Sequence, residues 1–161
     1  MKTLYFIRHA KSSWDDPSLR DFDRPLNPRG KRDAPKMANY LNDLKIQPDL
    51  IISSPAKRAQ STARIFQKTL GNPPLQLERD IYEANVFDVF RIIQEIEEEH
   101  SVVFIFGHNP TFTSIANQFT EELIMNVPTC GIAKIESNID SWKNFSRTEG
   151  KLTAFYYPKM F

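Results

Sequence analysis

Three short apolar runs, Leu4–Ile7, Leu50–Ile52 and Val102–Phe106, interrupt an otherwise mixed chain, and none alternates apolar with polar residues. A strand with one wet face alternates with period two, whereas a parallel strand covered on both faces reads as a continuous run rich in Val, Ile and Phe. Helical spacing fills the gaps. Ala34, Met37, Ala38, Leu41 and Leu44 form one stripe, with Pro35 expected in that helix's first turn, where a missing N–H is harmless. Ala59, Ala63 and Phe66 form a second, with Thr62 on the same face and Gly71, Pro73 and Pro74 as its stop. Phe90, Ile93 and Ile96 form a third after an Asn85 cap, with Glu95, Glu97, Glu98 and Glu99 on the opposite face. A fourth, with Phe112, Ile115, Ala116 and Phe119, follows Asn109-Pro110, where asparagine is the expected cap and proline the first helical residue.

Alternating strands and helices predict an α/β fold, a three-layer sandwich whose central sheet is mainly parallel, with helices on both faces. The tail differs: Ile132–Glu136 and Leu152–Tyr157 alternate and are expected to form an antiparallel edge pair joined across Ser137–Gly150. No repeat, low-complexity tract or linker divides the chain, so one domain over residues 1–161 is expected.

Composition narrows the function classes. Apolar residues make up 40% and charged residues 25%, ordinary values for a globular protein, and the net charge of +1 gives no electrostatic reason to expect a nucleic-acid partner. The first apolar run is broken by Arg8, too early for a secretory core, and nothing approaches a membrane span, so a cytoplasmic protein with no membrane partner is expected. Cys130 is the single cysteine, which excludes an internal disulfide. No paired carboxylates or His/Cys cluster stand at metal-ligand spacing, so neither metal nor cofactor is expected.

The chemistry gathers where the runs end. The first stops in Arg8-His9, the second in Ser53-Ser54-Pro55 ahead of a helix carrying Arg58, the third in Gly107-His108-Asn109-Pro110. Ligands of open α/β sheets bind beyond the carboxyl ends of the strands, so a parallel sheet brings two arginines, two histidines and two helix N-termini to one crevice. Arginine forks onto oxyanions, and histidine accepts and releases groups near neutral pH. Taken singly, each is more ordinary as a satisfied structural histidine or a solvated helix charge; three successive strand ends together point to a phosphate site.

These residues resemble a known family. Arg8-His9-Ala10 is similar to the Arg-His-Gly motif of the histidine phosphatase (phosphoglycerate mutase-like) superfamily, with alanine in the glycine position. Ser53 to Ala63 resembles its second arginine motif and Gly107-His108-Asn109-Pro110 its second histidine motif. Arg24-Pro25-Leu26-Asn27 with Gly30, and Tyr82-Glu83-Ala84, narrow the likeness to the small branch typified by bacterial phosphohistidine phosphatases.

The resemblance implies that His9 attacks phosphorus and carries a phosphohistidine intermediate, that Arg8, Arg58 and His108 hold the phosphoryl oxygens, and that water completes hydrolysis without a metal. Attack requires one bare nitrogen on His9, with the other donating to an acceptor the sequence does not identify. Larger relatives place a glutamate acid after the second arginine motif. Glu83, 25 residues beyond Arg58, is the candidate; the alternative is a solvated loop residue. Arg20, Arg24, Arg29, Lys31 and Arg32 read either as a solvated loop and helix start, or as a lid in which Arg20 or Arg24 touches substrate. Trp14 is expected at the rim, Trp142 against the tail strands, and His100 at a helix C-terminus.

The partner is accordingly a phosphorylated substrate. A protein phosphohistidine is the leading class, because the short chain leaves little room for a cap. The alternatives are a small sugar, nucleotide or cofactor phosphate, a phosphomutase, and a non-catalytic phosphate-binding module.

Overall fold

In the computed structural model, which describes residues 1–161, the chain runs β1 (Lys2–Arg8), α1 (Pro28–Asp43), β2 (Leu50–Ser53), α2 (Lys57–Thr69), β3 (Leu75–Leu77), α3 (Val86–Gln94), β4 (Val102–Gly107), α4 (Thr111–Asn117), β5 (Ile132–Ser137) and β6 (Lys151–Tyr156). The six strands form one sheet in the order β3-β2-β4-β1-β5-β6. The first four in that order pair in parallel, and β5 and β6 close one side antiparallel.

Why the central runs do not alternate is visible in their packing. Leu4, Phe6, Leu50, Ile52, Val103 and Ile105 face a core shared with Val89 and Ile93 of α3 and Phe112 and Ile115 of α4. Their neighbours Tyr5, Ile7, Ile51, Phe104 and Phe106 face a second core, shared with Met37 and Leu41 of α1 and Ala63 and Phe66 of α2. Successive side chains leave opposite faces of a strand, so a sheet covered twice needs apolar residues at every position. The three-layer α/β architecture follows.

Several boundaries differ from expectation. Helix α1 starts seven residues before Pro35, at Pro28, with the Asn27 side chain accepting from Gly30 N at 2.8 Å; Pro35 lies inside the helix. The basic residues of its first two turns hid this start. Helix α3 begins as expected, with a reciprocal capping box between Asn85 and Asp88, but ends at Gln94. The glutamates from Glu95 onward therefore lie past it, and His100 is no helix-terminal residue: its carbonyl accepts from Lys2 Nζ at 3.0 Å and from Trp142 Nε1 at 2.8 Å. Helix α4 begins one residue late, at Thr111, yet Asn109 still caps it, accepting from Thr113 N at 3.1 Å. Strand β3 was not expected, because two prolines precede three residues with only Leu75 and Leu77 apolar. The tail hairpin forms as read, although β5 lies inside the sheet against β1 and, of the pair, β6 alone is at an edge; β3 forms the other edge of the sheet.

The register carries the motifs to one place. Arg8 lies opposite Gly107 and Ser53 opposite Phe106, so the ends of β2, β4 and β1 are adjacent and level. Gly107 is required here: a Cβ would lie 2.5 Å from the Phe112 ring and 2.9 Å from Ile81 Cγ2.

Candidate active site

His9 follows β1 directly and is 6% exposed. Its backbone N–H donates to Gly107 O at 3.1 Å, and Cys130 N donates back to the carbonyls of Arg8 and His9 at 3.0 Å, fixing the main chain from the end of β4 on one side and from the turn leading into β5 on the other. The ring Nδ1 lies 2.8 Å from the Ala10 carbonyl oxygen. A carbonyl only accepts, so Nδ1 carries the proton and Nε2 carries the lone pair. That carbonyl is the acceptor the sequence left unnamed. Nε2 faces Arg58 Nε at 3.4 Å. Burial is the main reason the His9 pKa falls to about 3; His108, Arg58 and Arg8 push it the same way, against the Ala10 hydrogen bond.

His108 follows β4, its ring centroid 5.3 Å from that of His9. Its Nε2 is hydrogen-bonded to Ser54 Oγ at 2.8 Å, while Nδ1 is buried without a partner. Burial first, then Arg58 and Arg8, lower its pKa to about 4, with Asp21 opposing. Arg8 donates from Nη1 to Val127 O at 3.0 Å and keeps a buried, unpartnered Nε. Burial, and then Arg58, lower its pKa too. Two cations and two neutral imidazoles thus share a desolvated pocket with unspent donors, an arrangement suited to a multiply charged oxyanion.

Arg58, on the first turn of α2, turns its other end away from His9. Nη1 donates to the Asp21 carbonyl at 2.7 Å and Nη2 to Asp21 Oδ2 at 3.0 Å. Tyr82 donates its hydroxyl to the same Oδ2 at 2.7 Å, and Arg24 donates from Nε to Oδ1 at 3.2 Å. Partial burial opposes ionisation of Asp21, but these donors outweigh it and bring its pKa to about 2. Thr62, one turn along α2, accepts from Ala10 N at 3.0 Å and donates to Arg58 O at 2.7 Å, tying the helix to the residue after His9. The Ala10 methyl is fully buried in the α1/α2 core, so replacing glycine adds nothing to the pocket.

The structure therefore brings together Arg8, His9, Arg58 and His108. Arg24 is buried at their margin, donating to Ser12 Oγ at 2.9 Å beneath the exposed Trp14 ring, 3.5 Å from its centroid. Arg20 does not join them; it points to solvent and pairs with Asp23 at 2.9 Å. Glu83 makes no hydrogen bond to either histidine. It has φ of 60° and lines a polar cleft of about 350 Å³ with Arg79, Tyr82 and Arg91. Trp142 joins the α3/α4 core that also holds Ala133 and Ile135 of β5. Sequence reasoning gave Asp21 no role and named Tyr82 only within the Tyr82-Glu83-Ala84 motif, without its contact to Asp21. Asp21 is one of four aspartates, with Asp15, Asp16 and Asp23, that offset the arginines of that stretch, and nothing in the sequence singles it out.

A mixed six-stranded α/β sheet with two histidines and two arginines at its carboxyl end defines a class, and comparison with known proteins agrees. Residues 4–111 match the model of the histidine phosphatase superfamily (branch 1). An uncharacterised chloroplastic protein of Arabidopsis thaliana is 31% identical over 155 residues, covering 88% of this chain and 69% of that protein. A structure from Agrobacterium tumefaciens, provisionally named phosphohistidine phosphatase SixA, is 29% identical with a TM-score of 0.84, covering 98% of both chains. The protein histidine phosphatase SixA complexed with tungstate has the same fold, at 21% identity, a TM-score of 0.83 and 98% coverage of both chains. The chain belongs to the histidine phosphatase superfamily, in its small SixA-like branch. Family and fold support phosphatase chemistry on a phosphorylated substrate. No helix is long and apolar enough to cross a membrane.

Proposed function

We propose that this protein is a metal-independent phosphatase that transfers a phosphoryl group to His9 Nε2 and then to water, acting on phosphohistidine at a protein surface. The observation that carries this reading is the His9 tautomer: Nδ1 donates to the Ala10 carbonyl, and the unprotonated Nε2 accepts from Arg58 Nε at 3.4 Å in the pocket shared with Arg8 and His108. As the Nε2–phosphorus bond forms, the bond to the leaving group breaks, and negative charge spreads over oxygens within reach of Arg8, Arg58 and His108. Water then cleaves the Nε2–phosphorus bond, releasing inorganic phosphate and restoring neutral His9. The proton stays on Nδ1, donated to the Ala10 carbonyl, while the imidazole carries the phosphoryl group.

Two observations support a protein substrate. Residues 70–85, between α2 and α3, hold only the three-residue β3 and a 3-10 turn at Arg79–Ile81, so no inserted cap covers the pocket from that side. The rim carries exposed apolar groups: Trp14 is 71% exposed over Arg24, and Met125 is 83% exposed two residues before Val127, whose carbonyl takes Arg8. Exposed apolar groups beside an anion pocket suit a macromolecular partner. The structure of the protein histidine phosphatase SixA in complex with tungstate, a tetrahedral oxyanion, is consistent with such a pocket.

The test is a metal-free phosphatase assay with a phosphohistidine protein beside small sugar, nucleotide and alkyl phosphates. His9→Ala is expected to remove turnover by about four orders of magnitude or more, and EDTA to leave it unchanged. Near-wild-type turnover by His9→Ala would sink the mechanism, inhibition by EDTA its metal independence, and preference for a small phosphate the protein substrate.

A further inference from the structure

Asp21 is an odd residue to find here. A carboxylate beside an oxyanion pocket repels the substrate, yet this one accepts from two arginines and a tyrosine that come from three separate stretches of chain. Its contact with Arg58 is selective. A guanidinium has five N–H donors on two usable edges. Asp21 takes the edge formed by Nη1 and Nη2, one through its backbone carbonyl and one through its carboxylate, and leaves Nε toward His9 Nε2 at 3.4 Å. The aspartate is itself braced. Tyr82 donates to the same Oδ2 that accepts from Arg58, Phe22 packs edge-on against Tyr82 at 5.1 Å, and the Arg79 guanidinium lies 5.0 Å from the Phe22 ring centroid and 5.3 Å from that of Tyr82. Tyr82 in turn meets the His108 ring edge-on at 5.6 Å.

We infer that Asp21 is a positioning residue for phosphoryl transfer: by occupying the far edge of Arg58 it directs the Nε edge at the phosphoryl group while that group moves to His9. The inference rests on the phosphatase reading. A donor aimed in advance at the place where charge develops lowers the barrier, whereas a mobile donor must be ordered in each turnover. The carboxylate thus worsens ground-state binding of an anion and improves the transition state.

That opposition makes a signature. In Asp21→Asn, kcat is expected to fall about 10- to 100-fold, the range for losing a charge-assisted contact, while inhibition by inorganic phosphate stays equal or becomes tighter. In an Arg58→Ala background the same substitution is expected to cost little more, because the group it orients is gone. The Arg58 Nε–H proton, followed by NMR without any substrate, is expected to exchange faster in Asp21→Asn. Tyr82→Phe, which keeps the carboxylate but removes its brace, is expected to shift each measurement in the same direction by less. Unchanged or raised kcat, phosphate binding lost in step with kcat, additive losses in the Arg58→Ala background, or unchanged Nε–H exchange each overturn the assignment. Turnover retained by His9→Ala overturns the phosphatase mechanism instead, and the NMR measurement reports on Asp21 whichever way that result falls.

Discussion

Imidazoles exposed to water hold a proton below about pH 6.5, but burial keeps His9 neutral down to about 3 and His108 down to about 4. This has opposite-looking consequences for rate and stability. For rate, the acid limb of kcat/KM is not expected at an ordinary histidine value; once the substrate's own second ionisation near about pH 6 is allowed for, it should fall toward pH 4 or lower. For stability, the unfolded chain takes up protons on these two groups below about pH 6.5 while the folded one does not. Their neutral burial is therefore fully tolerated above that pH, and unfolding becomes easier as pH drops from there toward 4 and then 3. Asp21, lowered from 3.8 to about 2, adds a later loss over that interval. Urea midpoints measured from pH 7 to pH 4 are expected to decline steadily, and a His9→Asn, His108→Asn double variant to flatten that decline. A midpoint independent of pH in the unsubstituted protein would contradict the buried, neutral state.

The elements set these side chains by ties between neighbours. Helix α2 is not only the carrier of Arg58: through Thr62 it holds the N–H of Ala10, the residue whose carbonyl fixes the His9 tautomer. Thr62→Val keeps the shape but strands that buried N–H, an expected loss of about 1–3 kcal/mol, or roughly 3 °C in Tm per kcal/mol for a chain of this size, accompanied by a fall in kcat. Calorimetry and steady-state rates check it; an unchanged Tm would mean water or another group satisfies Ala10. This tie also marks what the sequence could reveal. Thr62 was readable as a helix-face residue beside Ala59 and Ala63, and the ends of β1, β2 and β4 were readable as a site, because apolar runs that stop at polar residues report strand ends directly. The place of Asp21, its contact with Tyr82 and the Ala10 carbonyl were not. They come from irregular segments, where no periodicity says which way the chain turns, and a backbone acceptor has no residue letter of its own. The start of α1 was hidden for a related reason: its first turns are exposed and basic, so they carry no apolar stripe, and only the Asn27-Pro28 pair marked it.

At the scale of the molecule, the sheet's carboxyl edge offers cations in plenty and no proton donor touching His9. Asp21 is ionised, and Glu83 faces the Arg79–Arg91 cleft instead. Leaving groups that are readily protonated or already stable as anions should therefore be favoured: phosphoramidates and aryl phosphates over alkyl phosphates. Glu83→Gln is expected to leave phosphoramidate hydrolysis within about threefold of the parent rate, since such a leaving nitrogen needs little help. A selective, large loss on alkyl phosphates alone would identify Glu83 as a donor that reaches the site only with substrate bound. The sheet order has one more effect. Arg8 N finds its acceptor at Gly131, and Cys130 supplies the N–H that holds the Arg8 and His9 carbonyls. Strand β1 is flanked by β4 and β5, which leave the ribosome roughly a hundred or more residues after it. A growing chain thus carries its nucleophile well before it has the means to use it, and catalysis waits on the later strands that complete the frame around His9.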